Sequence, residues 1–571
     1  MRPERRARPE RTAAVPRSRR PSEQPRRAAP RPEVLARHNG MSLNPVTAVR
    51  FRNQRLDSTL YAGDRLLIRP SENEQQVLGE LAAAADELGL NISVDPIDRR
   101  LRRMARDAGI SVAEAQPLLA RIHLTPQWTD QPLPPPDAWP VLQLFRARLR
   151  PSDPDRNSVQ LDHLLTSASD PGITGVPYWK VPGVGGSPYW KVPGGVGEYA
   201  EPGWGGRTPV NWVGRAPQRW PDEWLDGRRR PVVAVLDTGV GEHDWLPKSI
   251  VDRRPTCGAL RIGLTDPDTD PELTGAVSDA LNGGLDTDAG HGTFIAGLIR
   301  QKCPDANLLS IRVIQGDGVV SEGDLLEALN MLWLRQKLAL INNRPGQLVD
   351  VISLSLGYYH EQPADARFDP LLLTPLRALG ELGVAVVASA GNDATTRPMF
   401  PAAFAPHPSG LVKKNEAKVL PIVSVGALNP DGSIAMFSNE GPWIRVHRPG
   451  AALVSTLPVT FEGSRAPSQE ATFRGEQRAT IDPDDFSSGF GVWSGTSFAA
   501  PILAGEIAEW LHSSSRLRPL DSEDGGDSRR KASVAGDDAA AKARAEAEAA
   551  AALDRGWEAL STFVPRLRRP K

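Results

Sequence analysis

The chain has 571 residues, a length that favours about two to four domains. Its hydrophobic fraction of 40% and charged fraction of 24% are typical of a globular protein with some unstructured segments. The formal net charge of -1 gives no electrostatic reason to expect nucleic acid or an anionic membrane as a partner, and two cysteines are too few for a disulfide framework. The excess of Arg over Lys and the abundance of Ala, Gly and Pro are associated with GC-rich bacterial genomes.

The N-terminal segment, residues 1–40, is rich in Arg and Pro and is predicted to be a disordered arm. No apolar region follows the basic residues, as a secretory signal would require, and no stretch reaches the roughly 18 apolar residues of a membrane helix. The sequence therefore predicts a cytoplasmic protein without a membrane partner, with export by another route left open. Translation from Met1 and translation from Met41 both stay open.

Residues 41–165 are predicted to form a smaller N-terminal α/β or α+β domain with the order β-α-β-α-β. The predicted strands are "LYAGDRLLIRP", "NISVDP" and "VLQLFRARLRP", and the predicted helices are "ENEQQVLGELAAAADELGL" and Val112–Ile122. Residues 166–227 are rich in Gly, Pro and Trp and are predicted to be a linker. The linker contains the phrase PYWKVPG twice between Pro177 and Gly195, and we interpret it as a strap that packs on the following domain. A strap that occupies the cleft or is cut near Lys180 or Lys191 on activation, and a segment that binds a partner, are the alternatives.

Residues 228–515 alternate apolar strands with helices, which predicts a parallel sheet covered by helices on both faces. The strands are "PVVAVLDTGV", "ANLLSIRVI", "VDVISLSLG", "GVAVVASAG" and "VLPIVSVGAL". Helices are predicted after His291, around Leu325–Leu338 and around Leu371–Leu382. Residues 516–571 form a charged, Ala-rich tail, predicted to be a solvated helix or a linker with a terminal helix, and both chain termini are predicted to be disordered.

Four short motifs in this region carry residues suited to acyl transfer. "VVAVLDTGV" places Asp237 at a strand end, "GHGTFIAGLI" places His291 at a helix start, "VVASAGND" places Asn392 after a strand, and "GVWSGTSFAAP" places Ser497 where a turn enters a helix. A serine nucleophile needs an imidazole base, a carboxylate that orients the imidazole, and donors for the oxyanion. Each residue alone has an ordinary role as a turn or cap residue, but the combination predicts a serine hydrolase.

With "SLSLG" and "FSNEGPW", these motifs show that the segment from Val232 to Trp510 resembles the catalytic domain of the subtilisin-like serine proteases, the subtilases. The resemblance covers roughly half of the chain and implies a subtilisin-like fold. It implies that Asp237, His291 and Ser497 form the catalytic triad and that Asn392 is the side-chain donor of the oxyanion hole.

The resemblance also implies a substrate-binding edge strand and a pocket for the side chain before the cut. The residues concerned are Leu354, Ser355, Leu356 and Gly357 for the strand, and Ala390 and Gly391 for the pocket. Two positions depart from the family pattern: Phe294, expected to affect packing only, and Tyr358, expected to narrow the cleft. We find no metal-ligand set and expect no cofactor, and we interpret the acidic run "DPDTDPE" (266–272) as a solvated loop.

The predicted function is a serine endopeptidase that hydrolyses protein or peptide substrates through an acyl-enzyme on Ser497. Residues 41–165 lie where many subtilases carry an inhibitory propeptide of βαββαβ type, which suggests an intramolecular inhibitory domain that holds the enzyme latent. An unrelated accessory domain is the alternative for this region. The alternative is a catalytically restrained protein of subtilase fold that acts in binding or regulation.

Overall fold

The structure, a computed structural model, describes residues 32–50, 56–69, 73–111, 114–115, 117–128, 135–167, 206–278, 280–361, 370–406, 414–514, 517 and 534–570. The PYWKVPG phrase and most of the Arg/Pro-rich arm lie outside the described residues, and the predictions for them stay predictions. The domain boundaries given above also stay predictions.

The described helices and strands are numbered in chain order. The α-helices are α1 (Pro32–Arg37), α2 (Glu74–Asp86), α3 (Pro96–Asp107), α4 (Ala138–Arg148), α5 (Pro271–Thr274), α6 (His291–Lys302), α7 (Glu322–Ile341), α8 (Pro370–Glu381), α9 (Thr496–Ser513) and α10 (Val534–Phe563). The strands are β1 (Gly40–Leu43), β2 (Thr59–Ile68), β3 (Leu90–Val94), β4 (Ala120–Pro126), β5 (Val159–Ser167), β6 (Thr208–Pro209), β7 (Val232–Asp237), β8 (Val251–Asp252), β9 (Thr256–Cys257), β10 (Leu260–Arg261), β11 (Asn307–Arg312), β12 (Val319–Ser321), β13 (Val351–Leu354), β14 (Leu356–Gly357), β15 (Ala385–Ser389), β16 (Val423–Leu428), β17 (Val446–Pro449), β18 (Leu453–Thr456), β19 (Glu470–Phe473), β20 (Glu476–Ala479) and β21 (Phe490–Trp493).

The larger half of the molecule is built on a seven-stranded sheet with the order β17-β16-β15-β13-β7-β11-β8. All neighbouring strands in this sheet are parallel. Alternate residues of β7 point to opposite faces: Val233 and Val235 pack with α6 and α9, while Ala234 and Leu236 pack with α7 and α8. The prediction of a parallel sheet covered by helices on both faces is confirmed.

The N-terminal region folds around an antiparallel sheet with the strand order β5-β2-β4-β3, to which β1 adds beside β2. Helices α2 and α4 pack against one face of this sheet and share an apolar core with it. The chain order β2-α2-β3-α3-β4-α4-β5 is a βαββαβ arrangement with α3 as an addition. Because the sheet is antiparallel, the arrangement is α+β.

Two predicted elements of this region are wrong. The segment "VLQLFRARLRP" was expected to be a strand but lies mostly in α4, because Asp137 caps the helix by accepting the backbone N–H of Trp139 at 3.0 Å, and Leu142 and Phe145 bury the same helix face. The helix expected over 112–122 gives way to β4, which begins at residue 120 and pairs with β2 on one side and β3 on the other. The sequence analysis also missed α3 and β5.

The described end of the predicted linker and the C-terminal helix both pack on the large half. In the linker, β6 pairs with β21, and Trp212 packs edge-on against Trp245 with ring centroids 5.2 Å apart. In α10, Trp557 is 2% exposed and donates its indole N–H to the carbonyl of Ala417 at 3.2 Å. The tail therefore contains the expected terminal helix, but that helix contributes to the core in addition to its solvated face.

Candidate active site

Asp237 and His291 meet at the carboxyl end of the parallel sheet. Asp237 is the last residue of β7, and His291 is the first residue of α6, after Gly290, whose φ of 83° favours glycine. Asp237 Oδ1 lies 2.6 Å from His291 Nδ1, and both side chains are buried. Burial lowers the pKa of His291, but the charge and hydrogen bond of Asp237 outweigh burial, and the pKa lies above its usual value.

Ser497 lies in the first turn of α9, against the segment that follows β13. Its hydroxyl donates to the carbonyl oxygen of Ser355 at 3.2 Å, and the hydroxyl of Ser355 donates to the carbonyl oxygen of Ser497 at 2.8 Å. His291 packs against the same turn, with its ring centroid 5.2 Å from that of Phe498. Within the described residues, His291 Nε2 has no hydrogen-bond partner. The structure thus forms the Asp–His bond, while the serine hydroxyl is turned toward Ser355.

Asn392, three residues after the end of β15, is tied to the residue that precedes Ser497. Its Oδ1 accepts hydrogen bonds from the backbone N–H and the hydroxyl of Thr496, both at 2.9 Å. The hydroxyl of Thr496 accepts in turn from the backbone N–H of Gly391 at 3.0 Å, and the carbonyl of Ala390 accepts from Asn439 Nδ2 at 2.9 Å. Since Oδ1 of Asn392 accepts from Thr496, the amide nitrogen is the end of this side chain that can donate to an oxyanion.

The strand expected to bind substrate is paired with another segment of the same chain. Leu354 ends β13 and is buried, and after Ser355 the short β14 pairs antiparallel with β5. In this register Gly357 is opposite Thr166, and Leu356 is opposite Ser167. A side chain at Gly357 would lie against the carbonyl oxygen of Phe400, which explains why glycine occupies the position. The opposite edge of β5 pairs antiparallel with β12, so β5 lies between two segments of the large half.

Charged groups of the N-terminal region also contact the first turns of α7. Asp162 of β5 accepts the backbone N–H of Gly323 at 2.8 Å, at the end of the helix where N–H groups lack helical partners. Arg121 of β4 donates to Asp324 at 2.5 Å and also to Glu327. The N-terminal region is therefore held by ion pairs and a helix cap as well as by strand pairing.

Glu272 is a buried residue near the candidate site that the sequence analysis assigned to a solvated loop, and that assignment is wrong. Its two oxygens each lie 2.5 Å from a threonine hydroxyl, those of Thr238 and Thr293, which follow Asp237 and His291 in their motifs. Thr238 also accepts the backbone N–H of Gly292 at 2.8 Å. Burial raises the pKa of Glu272 to about 8. No local sequence pattern predicts this pair of hydrogen bonds.

The two departures from the family pattern have clear positions. Phe294 is fully buried, and its ring centroid lies 4.5 Å from that of Phe498, in agreement with the expected packing role. The ring of Tyr358 stacks on His163 of β5 with centroids 4.6 Å apart. Tyr358 therefore contacts β5, the strand that pairs with β14.

A serine, a histidine and an aspartate gathered at the carboxyl edge of a parallel sheet are typical of a serine hydrolase. A family model described as the subtilase family matches residues 228–522, which is more than half of the chain. The chain belongs to the subtilase family and is a subtilisin-like serine endopeptidase.

The chain is similar to several named proteases. It is 27% identical over 305 residues to the major intracellular serine protease of Bacillus subtilis, covering 50% of this chain and 71% of that protein. It is 29% identical over 307 residues to the intracellular serine protease of Paenibacillus polymyxa, covering 50% and 69%. Serine protease AprX of Bacillus subtilis is 27% identical over 331 residues, and the match covers 51% of this chain and 65% of that protein.

The wider comparisons set limits on these similarities. A cuticle-degrading serine protease of the fungus Arthrobotrys oligospora also matches, with 26% identity over 287 residues and coverage of 49% of this chain and 52% of that protein, so a bacterial source stays a prediction. Among solved structures, fervidolysin from Fervidobacterium pennivorans matches with 16% identity and a TM-score of 0.40, over 82% of this chain and 57% of that chain. Within the described residues, every helix is too short or too polar to span a bilayer.

Proposed function

We propose that this protease cleaves peptide bonds through an acyl-enzyme on Ser497 and is held latent by its own N-terminal region. The observation that carries the proposal is the position of β5, which pairs antiparallel with β14 beside Ser355 and Ser497. An extended peptide that adds a strand to an exposed edge is a common mode of peptide recognition. In this proposal a substrate occupies the same edge when β5 leaves.

The chemistry begins with a change in the hydrogen bond of the nucleophile. Ser497 Oγ turns from the carbonyl of Ser355 to His291 Nε2, a tightening that is common when a substrate binds. Oγ then attacks the substrate carbonyl carbon, and its proton moves to Nε2. Asp237, bonded to Nδ1 at 2.6 Å, holds the imidazole in the required tautomer and stabilises the imidazolium.

The oxyanion of the tetrahedral intermediate accepts hydrogen bonds from the amide nitrogen of Asn392 and from the backbone N–H of Ser497. When the intermediate collapses, the scissile C–N bond breaks, and His291 gives its proton to the leaving amine. Water then attacks the acyl-enzyme with His291 as the base, and the same two donors stabilise the second intermediate. When this intermediate collapses, the ester bond to Ser497 Oγ breaks, the peptide acid leaves, and His291 returns the proton to Oγ. This sequence uses no cofactor.

Latency follows from the direction and anchoring of β5. Because the pairing is antiparallel, the chain runs toward Ser355 as it leaves Ser167, and Ser355 contacts the nucleophile. The helix cap from Asp162 and the ion pairs of Arg121 add contacts that a short substrate lacks. In this proposal the predicted domain at 41–165 is the inhibitory domain. The first cut that releases this domain falls on the C-terminal side of Ser167.

The proposed setting is cytoplasmic, because two of the matching proteases carry the word intracellular in their names. Its substrates are proteins or peptides, as the family implies. The alternative, a restrained binding or regulatory protein, is not favoured, because the named relatives are proteases.

The test compares the wild-type chain with the Ser497→Ala variant, using a fluorophosphonate probe that labels activated serines. The wild-type protein is expected to take the label on Ser497, weakly when intact and strongly after the chain is cut beyond Ser167, as intact mass measurements would show. The variant is expected to stay unlabelled and uncut. A wild-type protein that takes no label on Ser497 even after removal of its N-terminal region would rule out the peptidase mechanism. Equal labelling of intact and cut chains would rule out latency.

A further inference from the structure

A buried cluster of two histidines and a glutamate lies where β5 meets the segment after β14. His163 belongs to β5, and His360 and Glu361 follow Tyr358 in the large half. One ligand atom from each of the three residues lies within 4.8 Å of the other two, and all three side chains are buried. No local sequence pattern predicts this ligand set, because His163 and Glu361 are 198 residues apart in the chain.

Two of the three distances between ligand atoms in the cluster are close to those around a tetrahedral metal ion. Glu361 Oε2 lies 2.9 Å from His163 Nε2 and 3.4 Å from His360 Nδ1. Zinc binds imidazole nitrogen and carboxylate oxygen at about 2.0–2.1 Å, which places neighbouring ligand atoms of a tetrahedron about 3.3–3.4 Å apart. Displacements of a few tenths of an ångström would bring the pair of His163 and Glu361 to that spacing.

A second carboxylate orients the first histidine. Glu322, the first residue of α7, lies with Oε2 2.7 Å from His163 Nδ1. Histidines that bind a metal usually donate their other ring N–H to a carboxylate or a carbonyl, and this bond fixes the tautomer in which the first nitrogen is free to bind. Glu322 therefore makes Nε2 of His163 the ligand atom and directs it at Glu361.

The charge of the cluster also favours a cation. Glu322 and Glu361 bring two carboxylates into a buried site, and the charges of His360, His163 and Arg146 of α4 act on Glu361. An uncompensated carboxylate is costly to bury. A divalent cation between His163, His360 and Glu361 would supply the compensating charge, and protons on the two imidazoles are the alternative source.

We propose that His163, His360 and Glu361 form a zinc site that joins β5 to the cleft of the protease. Imidazole and carboxylate ligands are well suited to zinc. The remaining coordination position is taken by water or by the second oxygen of Glu361. Because one ligand comes from the N-terminal region and two come from the large half, the ion holds the two parts together. This second role rests on the latency proposed above, whereas binding of the metal does not.

The binding test uses the full chain with Ser497→Ala, which keeps the N-terminal region attached, and cobalt(II) as a spectroscopic probe. After chelator treatment and dialysis, one equivalent of cobalt is expected to give the visible absorption of a tetrahedral site, and zinc is expected to abolish it. His360→Ala and Glu361→Gln are expected to lose the absorption. His447→Ala is the matched control, because His447 lies 3.3 Å from Glu440 outside the cluster, and it should retain the absorption.

If the Ser497→Ala chain shows no cobalt absorption and calorimetry detects no zinc binding, the proposed metal site is overturned. Protons on the histidines would then be the compensating charge. Unchanged absorption in both cluster variants would also overturn it. A second experiment adds a zinc-selective chelator, with calcium in excess, to the uncut wild-type chain. We expect faster appearance of peptidase activity, and slower appearance when zinc is added. If cobalt binds but the chelator leaves activation unchanged, the site stands and its role in latency is refuted.

Discussion

The contact of Arg121 with α7 gives a sharp test of latency. Arg121 is 8% exposed, and its guanidinium binds the carboxylates of Asp324 and Glu327 across the boundary between the N-terminal region and the large half. The change Arg121→Ala removes the cation and leaves both acids without their ion-pair partner. We expect the N-terminal region to leave the cleft more often.

The size of the effect follows from burial and charge. Removal of one partner from a desolvated charge pair at an interface costs about 2–5 kcal/mol. Burial raises the pKa of Glu327 to about 7, and Arg121 opposes this shift, so its removal raises the pKa further. Protonation of Glu327 near neutral pH then offsets part of the cost, and we expect about 2–3 kcal/mol. At about 1.4 kcal/mol per factor of ten, the open fraction rises about 30- to 150-fold.

The assay measures hydrolysis of a fluorogenic peptide by freshly purified, uncut chain, relative to the rate of the same sample after complete activation. Gel analysis at each time point gives the fraction of chain still intact. Arg148→Ala is the control, because Arg148 forms its ion pairs with Glu80 and Glu87, which both belong to the N-terminal region. An uncut Arg121→Ala chain that is as inactive as the wild type would refute the reasoning.

Four further outcomes are expected. Asn392→Ala should lower kcat by about 10²–10³, the loss that removal of one oxyanion donor causes in a subtilisin, with circular dichroism to verify folding. Because the pKa of His291 is raised and the base must be neutral, kcat/KM should rise with pH through a midpoint above 6.5. The pKa of Glu272 is raised to about 8, so its carboxyl keeps a proton in the folded state that the unfolded chain loses near pH 4.5. The free energy of unfolding should therefore fall as pH rises from 4.5 to 8. In denaturant titrations, Glu272→Gln should flatten this dependence. Trp557→Ala should lower the free energy of unfolding by about 3–5 kcal/mol, whereas Trp128→Ala, at a side chain 95% exposed, should leave thermal unfolding unchanged.

The parallel sheet was predictable because each of its strands has a local sequence pattern. The segment that becomes β7 is a continuous apolar run, as a strand buried on both faces must be, and it ends at Asp237. The same holds for β15, whose five residues are all buried and which precedes Asn392. Where a catalytic residue follows such a strand, the apolar run alone predicts that the residue lies at the edge of the sheet.

The helices and strands of the N-terminal region were less predictable, because over short lengths their hydrophobic patterns fit both a helix and a strand. The run Val141–Leu149 alternates apolar and polar residues at some positions and also fits one face of a helix. The cap from Asp137 and the burial of Phe145 against the sheet decide for the helix. Contacts such as that of Glu272 with Thr293, or that of His163 with Glu361, join distant parts of the chain and have no local signal.

The hydrogen bond between Ser497 and Ser355 links occupation of the edge strand to alignment of the nucleophile. The carbonyl oxygen of Ser355 accepts a hydrogen bond from the hydroxyl of Ser497. The pairing of β14 with β5 reaches Leu356, the residue next to Ser355. A substrate that extends one residue further along this antiparallel register brings a backbone N–H to the carbonyl of Ser355. We expect that N–H to displace the hydroxyl of Ser497 from this acceptor, so that the hydroxyl can turn to His291. In the proposed mechanism, pairing of the substrate with the edge therefore both positions the scissile bond and releases the nucleophile to its base.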